Sequence, residues 1–106
     1  MRDGDLALLG LAMRAGAVIV GTTGVRLALR RDNVRLVMVA SDHSQRTEEK
    51  VVRLARGRGV DVVLGPPASE LGRRLGREAV QALGVTDPRF AKGIGGVSTS
   101  REARRK

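Results

Sequence analysis

The chain has 106 residues, 42% of them hydrophobic and 29% charged, with a mean hydropathy of −0.14 and a formal net charge of +9. That length and apolar content fit one domain with a genuine core and exclude wholesale disorder. The absence of cysteine excludes a disulfide scaffold, a thiolate metal site and a cysteine nucleophile, and it suits a reducing cytoplasm.

In chain order, Met1-Arg2-Asp3-Gly4-Asp5 is acidic where a secretion signal is basic, and the apolar run Leu6–Met13 is too short to span a bilayer. Asp5 to Ala15 reads as a helix, with Leu6, Leu9 and Met13 at helical spacing and Gly16 as its stop. Ala17–Val20 reads as a short strand closed by Gly21. Thr22 is expected to cap a second helix reaching Arg31, with Val25, Ala28 and Leu29 as its buried stripe. Asp32-Asn33 makes a turn, and the unbroken apolar run Leu36–Ala40 reads as a central strand covered on both faces.

Ser41–Arg46 reads as a polar loop, and Thr47 is expected to cap a third helix carrying Glu48 and Glu49 in its first turn. That helix stops at Gly57-Arg58-Gly59, before a strand Asp61–Leu64 broken by Gly65-Pro66-Pro67. Ser69 is expected to cap a short helix running to Gly76. Val80–Leu83 reads as an edge strand, and Asp87-Pro88 starts a last helix with Phe90, Ala91 and Ile94 on its apolar face. From Gly95 onward the composition reads as a flexible basic tail. Strict alternation of helix and strand with short loops predicts an α/β fold, a three-layer α/β/α sandwich around a four-stranded mixed sheet.

Seventeen of the twenty cationic residues are arginine, whose planar fork matches phosphate oxygens, so the expected partner is anionic and nucleic acid is the first choice. A high-GC genome explains the preference for arginine over lysine but not the net charge. Catalysis finds no support. The single histidine, His43, lies between Asp42 and Ser44, and triad geometry needs side chains from separate segments. One histidine without cysteine or clustered carboxylates supplies no metal site.

Two constellations remain. The first is the turn Gly21-Thr22-Thr23-Gly24 leading into a helix, where backbone N–H groups and the helix dipole face an anion. It lacks the lysine of a phosphate-binding loop and the third glycine of a dinucleotide fingerprint, so no nucleotide cofactor is expected. Thr23, Arg26, Leu27 and Arg30 share the face opposite the buried stripe. The second is the rigid Gly65-Pro66-Pro67 loop with Arg73, Arg74 and Arg77 after it. The lack of Tyr and Trp argues against stacking platforms and for recognition of shape and backbone.

Taken as an ordered set, Leu8–Gly16, Gly21-Thr22, Arg35–Asp42, Glu70-Leu71-Gly72 and Gly76 resemble the kink-turn-binding ribosomal protein family of archaeal L-seven-Ae, eukaryotic L-thirty-e and the Gadd-forty-five-like proteins, and most of all its bacterial branch. The resemblance covers residues 6 to about 94. It implies an RNA-binding α/β/α domain over residues 1–94, with 95–106 as the tail. Together with the composition and the lack of catalytic and cofactor motifs, the expectation is a non-enzymatic, cytoplasmic monomer without cofactor, bound to structured RNA such as ribosomal RNA. The RNA-binding residues that the resemblance implies, joined to those chosen from charge, are Arg14, Gly21, Thr22, Thr23, Gly24, Arg26, Leu27, Arg30, Gly65, Pro66, Pro67, Arg73 and Arg74. Archaeal members carry Asn-Glu where this chain has Thr23-Gly24, and Lys where it has Leu27, which implies that a standard kink-turn is bound more weakly or not at all. The rival reading is a basic protein-interaction module without a dedicated RNA.

Overall fold

The computed structural model describes residues 3–95; the basic segment expected from residue 95 therefore lies, after Gly95 itself, outside the described residues. The elements run α1 (Asp3–Arg14), β1 (Val18–Val20), α2 (Thr22–Arg30), β2 (Leu36–Val39), α3 (Gln45–Thr47), a π-helical turn (Glu48–Val52), α4 (Arg53–Gly57), β3 (Asp61–Leu64), α5 (Ala68–Arg74), β4 (Ala82–Val85) and α6 (Pro88–Gly95). The π turn joins α3 to α4 as one continuous rod.

The sheet order is β1-β4-β2-β3, with β2 and β3 parallel and β4 antiparallel to both of its neighbours. The mixed sheet and the layered architecture match the sequence reading. Period-two alternation divides each strand between two cores. Leu36, Met38, Leu83 and Val85 pack against Leu9, Leu71, Ala91 and Ile94 from α1, α5 and α6 and against Leu75 just after α5. Val37, Val39 and Ala82 pack on the opposite face against Val25, Ala28 and Leu29 of α2 and Val51, Val52 and Ala55 of the long rod. All four residues of β2 are buried, which is why its sequence is apolar without alternation.

The last strand differs from its expected place. It spans Ala82–Val85 rather than Val80–Leu83, and it lies inside the sheet, not at its edge. Ala82 and Gly84 make it look weak in sequence, yet they are small because both faces are covered: a Cβ on Gly84 would meet Val34 Cγ1 at 3.2 Å. Val80 is buried, but it precedes the strand, and its N–H donates to the carbonyl of Ala68, the first residue of α5.

The helix starts also differ. Gly21, not Thr22, occupies the cap position of α2, at φ 102° and ψ 150°, a backbone state that favours glycine. Ser44, not Thr47, caps α3, its hydroxyl accepting from Thr47 N, so the expected 41–46 loop ends at Ser44. Thr47 is buried inside the helix and donates to Gln81 Oε1 at 3.1 Å. Ser69 caps nothing. Helix α5 starts at Ala68, whose N–H donates to Asp42 Oδ1 at 2.8 Å, a cap supplied from another loop. The Asp87-Pro88 start stands as expected, with Asp87 Oδ1 accepting from Arg89 N.

Candidate nucleic-acid interface

Strands β1, β2 and β3 run in one sense and β4 in the other, so three strand C-termini and one N-terminus share an end of the sheet. The loops at that end are laced together. Gly21 N donates to the Ala82 carbonyl, Ala40 N to Gln81, Ser41 N to Pro66 and Gly65 N to Val39. Gln81 Oε1 accepts from Ser44 N as well as from the Thr47 hydroxyl. The result is a continuous rim formed by residues 21–24, 40–44, 65–67 and 80–81, the last two closing the 76–81 loop that returns alongside α5.

At one end of this rim stands the first turn of α2. It has no side-chain cap and no acidic residue, and the N–H groups of Thr22, Thr23 and Gly24 find no acceptor among the described residues. Unsatisfied N–H groups at the positive end of a helix dipole are donors for an anion. Gly24 brings the turn close to β1, since a Cβ there would sit 2.9 Å from Ile19 Cγ2.

The residues expected to bind distribute unevenly. Gly21, Thr22, Thr23 and Gly24 meet Gly65, Pro66 and Pro67 on the same end of the sheet, but β1 and β3 are its two edges, so these groups stand three strand spacings apart, about 14 Å. Gly65 is buried against Met38, and Pro67 stands in the position just ahead of α5. Arg26 and Leu27 follow the first turn of α2, with Leu27 49% exposed. Arg73 and Arg74 are exposed in the last turn of α5. Arg14 ends α1 ahead of the N-terminal end of β1, away from the rim, and Arg30 lies about 12 Å down the axis of α2 from Thr22. The structure does not bring these two to the first turn.

Two other cations lie at this end of the molecule. Arg46 and Lys50 face the first turn of α2 from the neighbouring rod, and Thr22, Thr23, Arg26, Arg46, Thr47 and Lys50 line a cleft of about 80 Å³ between them. Arg77 sits in the 76–81 loop. None of Arg26, Arg46, Lys50, Arg73, Arg74 and Arg77 forms an ion pair with another described residue. The sequence signal for the cleft is a pair of cations one helical turn apart, but which helix packs beside α2 is set by the tertiary fold.

His43 also belongs to the rim. Nδ1 lies 2.7 Å from the Ala40 carbonyl and Nε2 lies 2.7 Å from Glu48 Oε1, two acceptors that only the imidazolium satisfies with both nitrogens. The Glu48 hydrogen bond raises the pKa of His43 above its ordinary value, aided by Ala40 and opposed by partial burial. Because the folded-state value is raised, the stabilisation is complete below about pH 6.5 and is lost as pH rises through the folded-state pKa. Thermal midpoints measured between about pH 5.5 and 8.5 are therefore expected to fall with rising pH, and His43→Gln should remove that component. An unchanged slope in the variant would assign the dependence elsewhere.

Among the described residues no three His, Cys, Asp or Glu side chains come together as a metal site, and no helix is long and apolar enough to cross a membrane.

The model of the ribosomal protein L7Ae/L30e/S12e/Gadd45 family matches residues 6–94. The chain belongs to this family. The match runs from Leu6 in the first turn of α1 to the penultimate residue of α6 and contains the whole rim. Within the family, the chain is similar to the RNA-binding protein YlxQ of Bacillus subtilis (strain 168), 36% identical over 84 residues, which cover 79% of this chain and 84% of that one. It is 31% identical over 91 residues to the RNA-binding protein YlxQ of Enterococcus faecium, covering 86% and 87%. Among solved structures, a protein of unknown function from Bacillus halodurans C superposes with a TM-score of 0.83 at 28% identity, covering 90% of this chain and 96% of that one.

Proposed function

We propose that this family member binds structured RNA of the kink-turn type, as a non-catalytic, ribosome-associated protein of the cytoplasm. The first turn of α2 enters the RNA, and the rim beside it carries shape and backbone contacts. The observation that carries this reading is the uncapped first turn, open to an anion and flanked by cations that no carboxylate neutralises. Relatives that bear the name RNA-binding protein support it.

Base reading is the weak part of the interface. Thr23 offers one hydroxyl, Gly24 offers no side chain and Leu27 offers only apolar contact. Backbone phosphates must then supply most of the affinity, which makes binding strongly dependent on salt. Titrating a duplex that carries one kink-turn, beside the same duplex without its bulge, should give preferential binding to the bent RNA. Log affinity should fall against log salt with a slope of about −0.9 for each phosphate neutralised. No binding, or a flat slope, would overturn this reading in favour of a basic face that meets an acidic protein.

A further inference from the structure

The rod formed by α3, the π turn and α4 carries an imbalance of charge on the side facing α2. Its two carboxylates near the rim are already engaged: Glu48 with His43 at 2.7 Å and Glu49 with Gln45 Nε2 at 3.1 Å. Arg46 and Lys50, one turn apart on the same rod, form no ion pair with a described carboxylate, and like charges at that spacing repel. Arg26 approaches from α2 as a third cation, and its Nε is buried without a hydrogen-bond partner among the described residues. The hydroxyls of Thr22 and Thr23 are likewise without protein partners among the described residues, and both line the cleft. At about 80 Å³ the cleft holds several times the volume needed for one water molecule, which leaves room for a tetrahedral oxyanion.

We infer that this cleft is a dedicated seat for a single backbone phosphate of the bound RNA, held between Arg46 and Lys50 on one side and Arg26, Thr22 and Thr23 on the other. The inference rests on the RNA-binding reading and adds to it a second element: the rod, and not α2 alone, grips the RNA. Two donors that repel each other while the cleft is empty are drawn together by a phosphate. The contact therefore supplies affinity and register, not base recognition.

The test compares R46Q/K50Q with R35Q/R56Q. Both remove two charges from exposed positions, but Arg35 precedes β2 and Arg56 lies in the last turn of α4, both remote from the rim. With the kink-turn duplex as probe, R46Q/K50Q should lose roughly tenfold or more in affinity and reduce the magnitude of the salt slope by about 2, and R35Q/R56Q should lose little. Ethylating RNA phosphates one position at a time should reveal a site whose modification weakens the wild type but not R46Q/K50Q. R46K and K50R should retain binding. Equal losses in the two double variants would reduce the effect to net charge and overturn the seat while leaving RNA binding intact. Failure of the wild-type protein to bind the duplex would overturn both readings. Matching thermal midpoints confirm that the variants are folded.

Discussion

Replacing Gly72 with alanine is expected to destabilise the protein by about 1–3 kcal/mol, toward the upper end, and to weaken RNA binding at the same time. A Cβ at this position would lie 2.7 Å from both the N and the Cα of Ala79 and 2.9 Å from the carbonyl carbon of Glu78. All three are backbone atoms, so no rotamer change relieves the overlap. The 76–81 loop must move, and Gln81, which holds Ser44 and Thr47, moves with it. In a domain of this size the thermal midpoint falls by about 4–8 °C for each kcal/mol lost. Gly10→Ala is the matched control: it lies inside α1, where a Cβ meets nothing within 4 Å, and it should stabilise by about 0.5–1 kcal/mol. Calorimetry on the two variants decides the point, and a Gly72→Ala protein as stable as the wild type would refute it.

The double substitution T23N/L27K is expected to tighten binding of a standard kink-turn by roughly tenfold or more. Both side chains are exposed, so neither change disturbs the core, and an asparagine at 23 keeps a donor where Thr23 borders the cleft. Asparagine supplies a donor and an acceptor for base edges, and one good contact of that kind contributes about 1–3 kcal/mol. Lysine adds a phosphate contact and should steepen the salt slope by about 1. Gly24→Glu is a different case. Its Cβ meets Ile19 Cγ2 at 2.9 Å, so the side chain of Ile19 must give way, and stability is expected to fall even if a base contact is gained. Titrations at two salt concentrations separate the base contribution from the phosphate contribution. If T23N/L27K binds no more tightly than the wild type, the first turn of α2 does not face the bases.

The buried stripe of α2 and the both-faces burial of β2 were legible because each is a local pattern of apolar spacing. The helix caps were less so. Thr47 and Ser69 have the right chemistry for caps, yet the fold gives those tasks to Ser44 and to Asp42 from another loop. The central place of β4 was hidden because a strand pressed between two helix layers can use Ala and Gly, residues that look weak alone. At the candidate site, the Gly21–Gly24 turn was visible as glycines between strand and helix. Arg46 and Lys50 were not, because their significance depends on which helix lies beside α2.

The position of β4 also bears on how the molecule is made. Of the four described strands, residues 82–85 are the last to be synthesised, yet they separate β1 from β2 and hydrogen-bond to both. A nascent chain ending before Ala82 has a slot in the middle of its sheet and two open strand edges facing it. Closure therefore waits for residues 82–85, and the sheet is completed in one late, long-range step. Until then the rim does not exist, because Gln81 has not yet joined the 40–44 loop. A chain truncated before β4 would thus expose its half-built edges to other chains, with aggregation as the outcome.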